Sequence, residues 1–146
     1  MVDASIPPVF RDSRPLDPLR ATMRVLLAED DAEMRSLLAQ VLRRAGYHVW
    51  ETDGGDAAIA ALTDREWFPW LPDVVLSDVC MPGSDGLAVA RTIHSAGLRV
   101  PTFLMTAFGD DGLHEEASRL GVRRVFDKPF PLTQLLDALA ELAPPR

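Results

Sequence analysis

Five short apolar runs, each separated from the next by a helix-length segment, restrict this chain more than any other feature. The runs occupy residues 23–28, 47–52, 73–77, 100–105 and 123–126. They are nearly continuous in apolar character, the texture of strands buried on both faces of a parallel sheet. Between the first two, Met34, Leu37, Leu38, Val41 and Leu42 fall at i, i+3, i+4, i+7 and i+8, and Leu132, Leu135, Leu136 and Leu139 repeat that phase near the end. Both spacings predict helices that turn an apolar stripe to a core. Gly46, Gly97 and Gly121 each follow a helical segment and precede a strand, where a left-handed cap favours glycine. Five strands alternating with five helices predict an α/β fold: a doubly wound, five-stranded parallel sheet flanked by five helices. In such sheets ligands bind beyond the carboxyl ends of the strands, where the strand order reverses.

The length of 146 residues suits one domain. Residues 1–22 hold Pro7, Pro8, Pro15 and Pro18, and their three Asp cancel three Arg. So little apolar surface cannot offset ordering entropy, so a flexible arm is expected there and a folded domain over 23–146. The whole net charge of −7 then sits in the folded part, which argues against nucleic acid and anionic membranes as partners. A lone Cys80 excludes an internal disulfide and a Cys-rich zinc site. No apolar run approaches the ~18 residues of a membrane span, so a soluble, cytoplasmic protein is expected. Of 15 basic residues only Lys128 is lysine, in a chain that otherwise uses arginine. A compact ammonium can approach an anion end-on where a planar fork does not fit.

The strand ends carry the chemistry. Glu29, Asp30 and Asp31 follow the first apolar run, and Asp78 follows the third. One acid at such a turn can cap a helix, but three together repel one another unless a cation joins them. A hard divalent cation such as Mg²⁺ takes carboxylate oxygens, waters and phosphate oxygens, and Glu29, Asp30 and Asp78 would form part of its cage. Thr106 ends the fourth run and Lys128 follows the fifth. Together these residues suit phosphoryl transfer: the metal and Lys128 neutralise phosphoryl oxygens, the Thr106 hydroxyl binds them, and the Asp78 carboxylate attacks phosphorus.

At this point the sequence resembles the receiver domain of bacterial two-component response regulators, over about residues 23–142. The resemblance rests on Glu29-Asp30, on Asp78 with Met81-Pro82 and Gly86, on Thr106-Ala107 and on Lys128-Pro129-Phe130. Asp78 lies 48 residues after Asp30, Thr106 lies 28 after Asp78, and Lys128 lies 22 after Thr106. The resemblance implies the flavodoxin-like arrangement of the sheet. It implies that Asp78 accepts phosphate from a phosphohistidine on a sensor histidine kinase or histidine phosphotransfer protein. Mg²⁺ would be held by Glu29, Asp30, Asp78 and the backbone carbonyl of Cys80, and Thr106 and Lys128 would bind the phosphoryl group and report it to a downstream protein. Asp31 then caps the helix. In that family the residue three before the lysine is commonly aromatic and turns inward with the threonine; here it is Val125, with Phe126 beside it. Coupling would run through the Thr106 loop alone or be weakened.

Other features have plainer readings. Trp67, Phe68, Trp70 and Leu71 form an apolar cluster that either packs beneath the second helix or marks a partner site. His48, His94 and His114 lie in separate elements with no ligand spacing, and nothing suggests chemistry at the Cys80 thiol. Residues 109–112 are either a mobile loop or a turn with a helix cap. With nothing resembling a DNA-binding or enzymatic module after Leu142, a single-domain regulator that is not a turnover enzyme is expected, acting by protein binding as a monomer or a phosphorylation-dependent dimer. The alternatives are a receiver-like interaction module indifferent to phosphorylation, and an aspartate-nucleophile phosphatase of the haloacid dehalogenase type. The latter resembles sequences with a second Asp two residues after the nucleophile, where this chain has Cys80.

Overall fold

Parallel strands need long crossovers, and the helix-length segments supply them. The computed structural model describes residues 23–64, 66, 68 and 71–142. In chain order the elements are β1 (Arg24–Ala28), α1 (Ala32–Arg44), β2 (His48–Thr52), α2 (Gly55–Thr63), β3 (Val74–Asp78), α3 (Gly86–Ser95), β4 (Thr102–Thr106), α4 (Asp111–Arg119), β5 (Arg124–Asp127) and α5 (Leu132–Leu142). All strand pairs are parallel, in the order β2-β1-β3-β4-β5. The expected five-stranded sheet flanked by five helices is therefore present, and its order reverses between β1 and β3.

Alternation along each strand divides the core between two faces. On one face Val25, Leu27, Leu76, Phe103 and Met105 pack against Leu38 and Leu42 of α1 and Leu135 and Leu139 of α5. On the other, Leu26, Ala28 and Val75 meet Ala58, Ala61 and Leu62 of α2 and Val89 and Ile93 of α3, while Leu104 and Val79 lie under Ala117 of α4. Three helices start on an aspartate that accepts backbone N–H bonds. Asp31 accepts from Glu33 and Met34, Asp85 from Ala88, and Asp110 from Leu113. Asp31 is thus the cap that its position past the acid pair suggested, and the loop at 109–112 carries a cap as well. Gly46, Gly97 and Gly121 have φ of 101°, 67° and 81°, which β-carbon-bearing residues adopt only with strain.

Three expectations need correction. Leu37, placed on the core stripe of α1, is 47% exposed. The buried set is Leu38, Ala39 and Leu42, so the stripe is narrower and rotated by one residue, with small Ala39 fitting where the helix approaches the sheet. β3 and β4 run one residue further than their apolar runs, because ladder bonding depends on the backbone and takes in the polar Asp78 and Thr106. β5, expected to be buried on both faces, is an edge strand with Arg124 and Asp127 exposed. Within the aromatic cluster, Phe68 is buried against Trp50 with ring centroids 4.4 Å apart, and Leu71 packs partly on the same group. Trp67 and Trp70, like the arm at 1–22, lie outside the described residues. Among the described residues no helix is long and apolar enough to cross a membrane.

Candidate functional site

The reversal in strand order brings together what the chain keeps apart. β1 and β3 pair with Ala28 opposite Ser77, so the Glu29-Asp30 turn and Asp78 leave the sheet side by side. One carboxylate oxygen from each of Glu29, Asp30 and Asp78 lies within 4.8 Å of the other two. Glu29 is 1% exposed and Asp78 7%, whereas Asp30 faces solvent. Lys128, one residue beyond β5, reaches across β4 to the cluster: its Nζ lies 3.4 Å from Glu29 Oε1 and 3.5 Å from Asp78 Oδ1.

The electrostatics follow from the burial. Glu29 is pushed up from 4.5 to about 7, first by loss of water around the carboxylate and then by the Asp78 charge. The Asp31 N–H, which donates to Glu29 Oε2 at 3.2 Å, and the Lys128 ammonium offset only part of this. A single lysine for three carboxylates leaves an unbalanced, oxygen-only donor set, which fits a hard dication such as Mg²⁺. Between about 4.5 and about 7 the folded state binds the proton that the unfolded state releases, so metal-free stability falls as pH rises through that window. For Glu29 alone the loss is on the order of 3 kcal/mol. Urea unfolding in chelator at about pH 5 and about pH 8 checks the sign, and a gain in stability toward the higher pH would contradict it. Mg²⁺ should reverse the loss, and where Glu29 is still protonated, below about 7, its binding should release a proton, detectable by calorimetry in buffers of different ionisation enthalpy.

Thr106 ends β4 with its side chain 1% exposed. Its Oγ1 accepts the N–H of Phe108 at 3.1 Å, and its carbonyl accepts the N–H of Lys128 at 2.7 Å, so the hydroxyl strand and the lysine strand are tied together. Asp78 is held on its other side, since Val79 N donates to Met105 O at 2.8 Å. The Cys80 side chain is exposed in the loop after β3, two residues beyond Asp78. Strand alternation separates the two candidates for an aromatic partner of Thr106. Val125 packs toward α4 with Leu104 and Ala117, while Phe126 faces α5, meeting Phe103 edge-to-face at 5.7 Å and Phe130 at a tilt at 5.1 Å. The residue on the α4 side is therefore aliphatic, and Phe126 does not replace it. His114 sits 3.6 Å from Asp127 as a surface pair and holds no place in the acid cluster. Sequence reasoning missed Arg35, whose Nη1 donates to the Glu29 carbonyl at 2.9 Å, because a backbone acceptor has no side-chain signature.

A family model described as the response regulator receiver domain matches residues 25–140. The chain belongs to this family. Receiver domains accept a phosphoryl group in two-component signalling and bind Mg²⁺ at an acidic site, and they interact with histidine kinases or phosphotransfer proteins and with downstream targets. This receiver is 37% identical over 125 residues to the C4-dicarboxylate transport transcriptional regulatory protein DctD of Pseudomonas aeruginosa, a match covering 86% of this chain and 26% of that protein. It is 31% identical over 119 residues to the response regulator receiver protein CpdR of Brucella abortus, covering 82% of this chain and 95% of that one. The chain thus spans about a quarter of DctD and nearly all of CpdR. Among solved structures it is similar to the response regulator TrrA of Thermotoga maritima in complex with Mg²⁺-BeF, with a TM-score of 0.69, 26% identity, and coverage of 83% of this chain and 99% of that one.

Proposed function

We propose that this receiver is a Mg²⁺-dependent phosphoryl acceptor that works as a single-domain response regulator and relays a kinase signal through its protein-binding surface. The observation that carries the proposal is the convergence of Glu29, Asp30 and Asp78 within 4.8 Å, with Lys128 Nζ 3.4 and 3.5 Å from Glu29 and Asp78. Glu29, Asp30, Asp78 and the Cys80 carbonyl would hold Mg²⁺, whose charge would neutralise phosphoryl oxygens. A free Asp78 oxygen forms the O–P bond as the P–N bond to a partner histidine breaks, and the imidazole nitrogen keeps the electron pair. Lys128, freed from its contact with Asp78, turns to the phosphoryl oxygens, and the Thr106 hydroxyl donates to them. The product is an aspartyl phosphate. A sensor histidine kinase or a histidine phosphotransfer protein is the donor, and a downstream protein, or a second copy of the receiver, reads the change.

Acetyl phosphate with Mg²⁺ should add one phosphoryl group by intact mass, and the same incubation in chelator should add none. An unmodified wild type would overturn the proposal. Lys128→Arg should keep Mg²⁺ binding and incorporate phosphate at a reduced rate, because the guanidinium preserves the charge but cannot present a compact ammonium between two carboxylates. Its beryllofluoride-induced amide shift at Phe108 should shrink by at least about half, since the phosphate contact would no longer be made end-on. A shift equal to that of the wild type would show that the charge alone suffices.

The aliphatic Val125 on the α4 side favours a second reading, a module that binds its partner whether or not Asp78 is modified. Equal partner affinity with and without beryllofluoride would select it.

A further inference from the structure

Glu29 has both of its backbone polar groups committed to bonds outside its own turn. Its N–H donates to Thr52 O at 3.1 Å, and its carbonyl accepts from Arg35 Nη1 at 2.9 Å. Arg35 is the fourth residue of α1, and helical side chains lean toward the helix N-terminus, so its guanidinium extends back over the acid turn. The guanidinium does not stand alone: its Nε lies 3.8 Å from Glu51 Oε1 on β2. Glu51 is held in turn by Arg43 of the same helix, with Nη1 2.9 Å from Oε2, while Arg43 Nη2 donates to Val49 O at 3.0 Å. Side-chain exposures of 22% for Arg35 and 29% for Glu51 place this relay partly out of water.

We propose that Arg35, anchored on Glu51, is a positioning residue for the metal-binding turn, acting through the Glu29 carbonyl. The carbonyl belongs to the planar peptide unit that joins Glu29 to Asp30, so one hydrogen bond to its oxygen fixes the α-carbons of both acids at once. Arg35 touches neither the metal nor the phosphoryl group. Its work is to keep the two carboxylates from swinging apart under their mutual repulsion. This inference rests on the reading of Glu29, Asp30 and Asp78 as the Mg²⁺ site.

Charge and position predict opposite signs here. By Coulomb's law alone, deleting a cation beside a cation site should tighten Mg²⁺ binding. Loss of positioning should weaken it, and removing groups that orient ligands typically costs 10- to 100-fold in metal affinity. The test is Mg²⁺ titration by calorimetry on the full chain, with cooperative thermal melting to verify folding. Arg35→Met, which keeps the apolar stem, should bind Mg²⁺ roughly tenfold more weakly than the wild type. Arg35→Lys should fall between them, roughly threefold weaker, because one ammonium cannot span the Glu29 carbonyl and Glu51 together. Arg35→Met binding as tightly as the wild type, or more tightly, would overturn the proposal. If that variant does not melt cooperatively, Arg35→Lys with wild-type affinity overturns it, since the charge is then all that matters. A wild type that takes up no Mg²⁺ overturns the metal site itself and this inference with it.

Discussion

Asp78→Asn should take up no phosphoryl group from acetyl phosphate, and in metal-free buffer it should melt at a higher temperature than the wild type. The first outcome follows because an amide oxygen is a poor nucleophile and no neighbour substitutes for it. Glu29 is buried and engaged by the Asp31 N–H and by Lys128, and Asp30 faces solvent. The second follows from the imbalance of charge. Asp78 is the second largest cause of the raised Glu29 pKa, and Lys128 divides its contacts between the two acids. Neutralising Asp78 leaves Lys128 to Glu29, draws its pKa back toward the ordinary range, and stabilises the neutral-pH fold by about 1 kcal/mol or more. Intact mass and thermal melting in chelator read both effects. An adduct equal to that of the wild type would place the acceptor elsewhere, and a lower melting temperature would show that Asp78 contributes bonds worth more than its repulsion.

Gly86→Ala should strongly destabilise the fold and disturb the end of β3. Gly86 opens α3, and its N–H donates to Val79 O at 3.0 Å, which brings the start of the helix back against the end of β3. A β-carbon there would stand 2.5 Å from the Asp78 carbonyl oxygen and 2.9 Å from Val79 Cα. These are backbone atoms at the end of a paired strand, and they can yield only by moving Asp78, the proposed acceptor. Overpacking of this kind costs ~3 kcal/mol, near the upper end for an inserted methyl. Denaturant unfolding should register that loss together with a phosphorylation rate well below that of the wild type. Stability within ~0.5 kcal/mol of the wild type would mean that α3 can slide away from β3 freely.

Much of this is legible in the sequence alone. Apolar runs that stop at Glu29-Asp30, Asp78, Thr106 and Lys128 identify which residues share one rim, because parallel strands all point their carboxyl ends the same way. Capping by Asp31 could be inferred because a carboxylate has a defined use at a helix start. What stayed hidden depends on strand order and rotation. That Lys128 spans to Glu29 and Asp78 over an intervening strand needs the sequence β1-β3-β4-β5 across the sheet, which no local pattern encodes. Leu37 fits the helical period as well as Leu38 does, and only the direction of approach to the sheet decides which is buried. The bond from Arg35 to a carbonyl was invisible because every residue has a carbonyl.

The groups proposed to react are not on loops. Asp78 and Thr106 are the last residues of strands whose pairing continues through the Val79 N–H to Met105 O and the Lys128 N–H to Thr106 O, so the Val79 and Lys128 amides should exchange slowly with solvent. Ala107, Phe108, Gly109 and Asp110, immediately beyond, are all exposed, and Phe108 presents 81% of its surface. The buried end of the strand therefore gives way to exposed chain at a single peptide bond, between Thr106 and Ala107. On the proposed function, substitutions on the outer side of that boundary should change partner binding while leaving phosphorylation of Asp78 as it is.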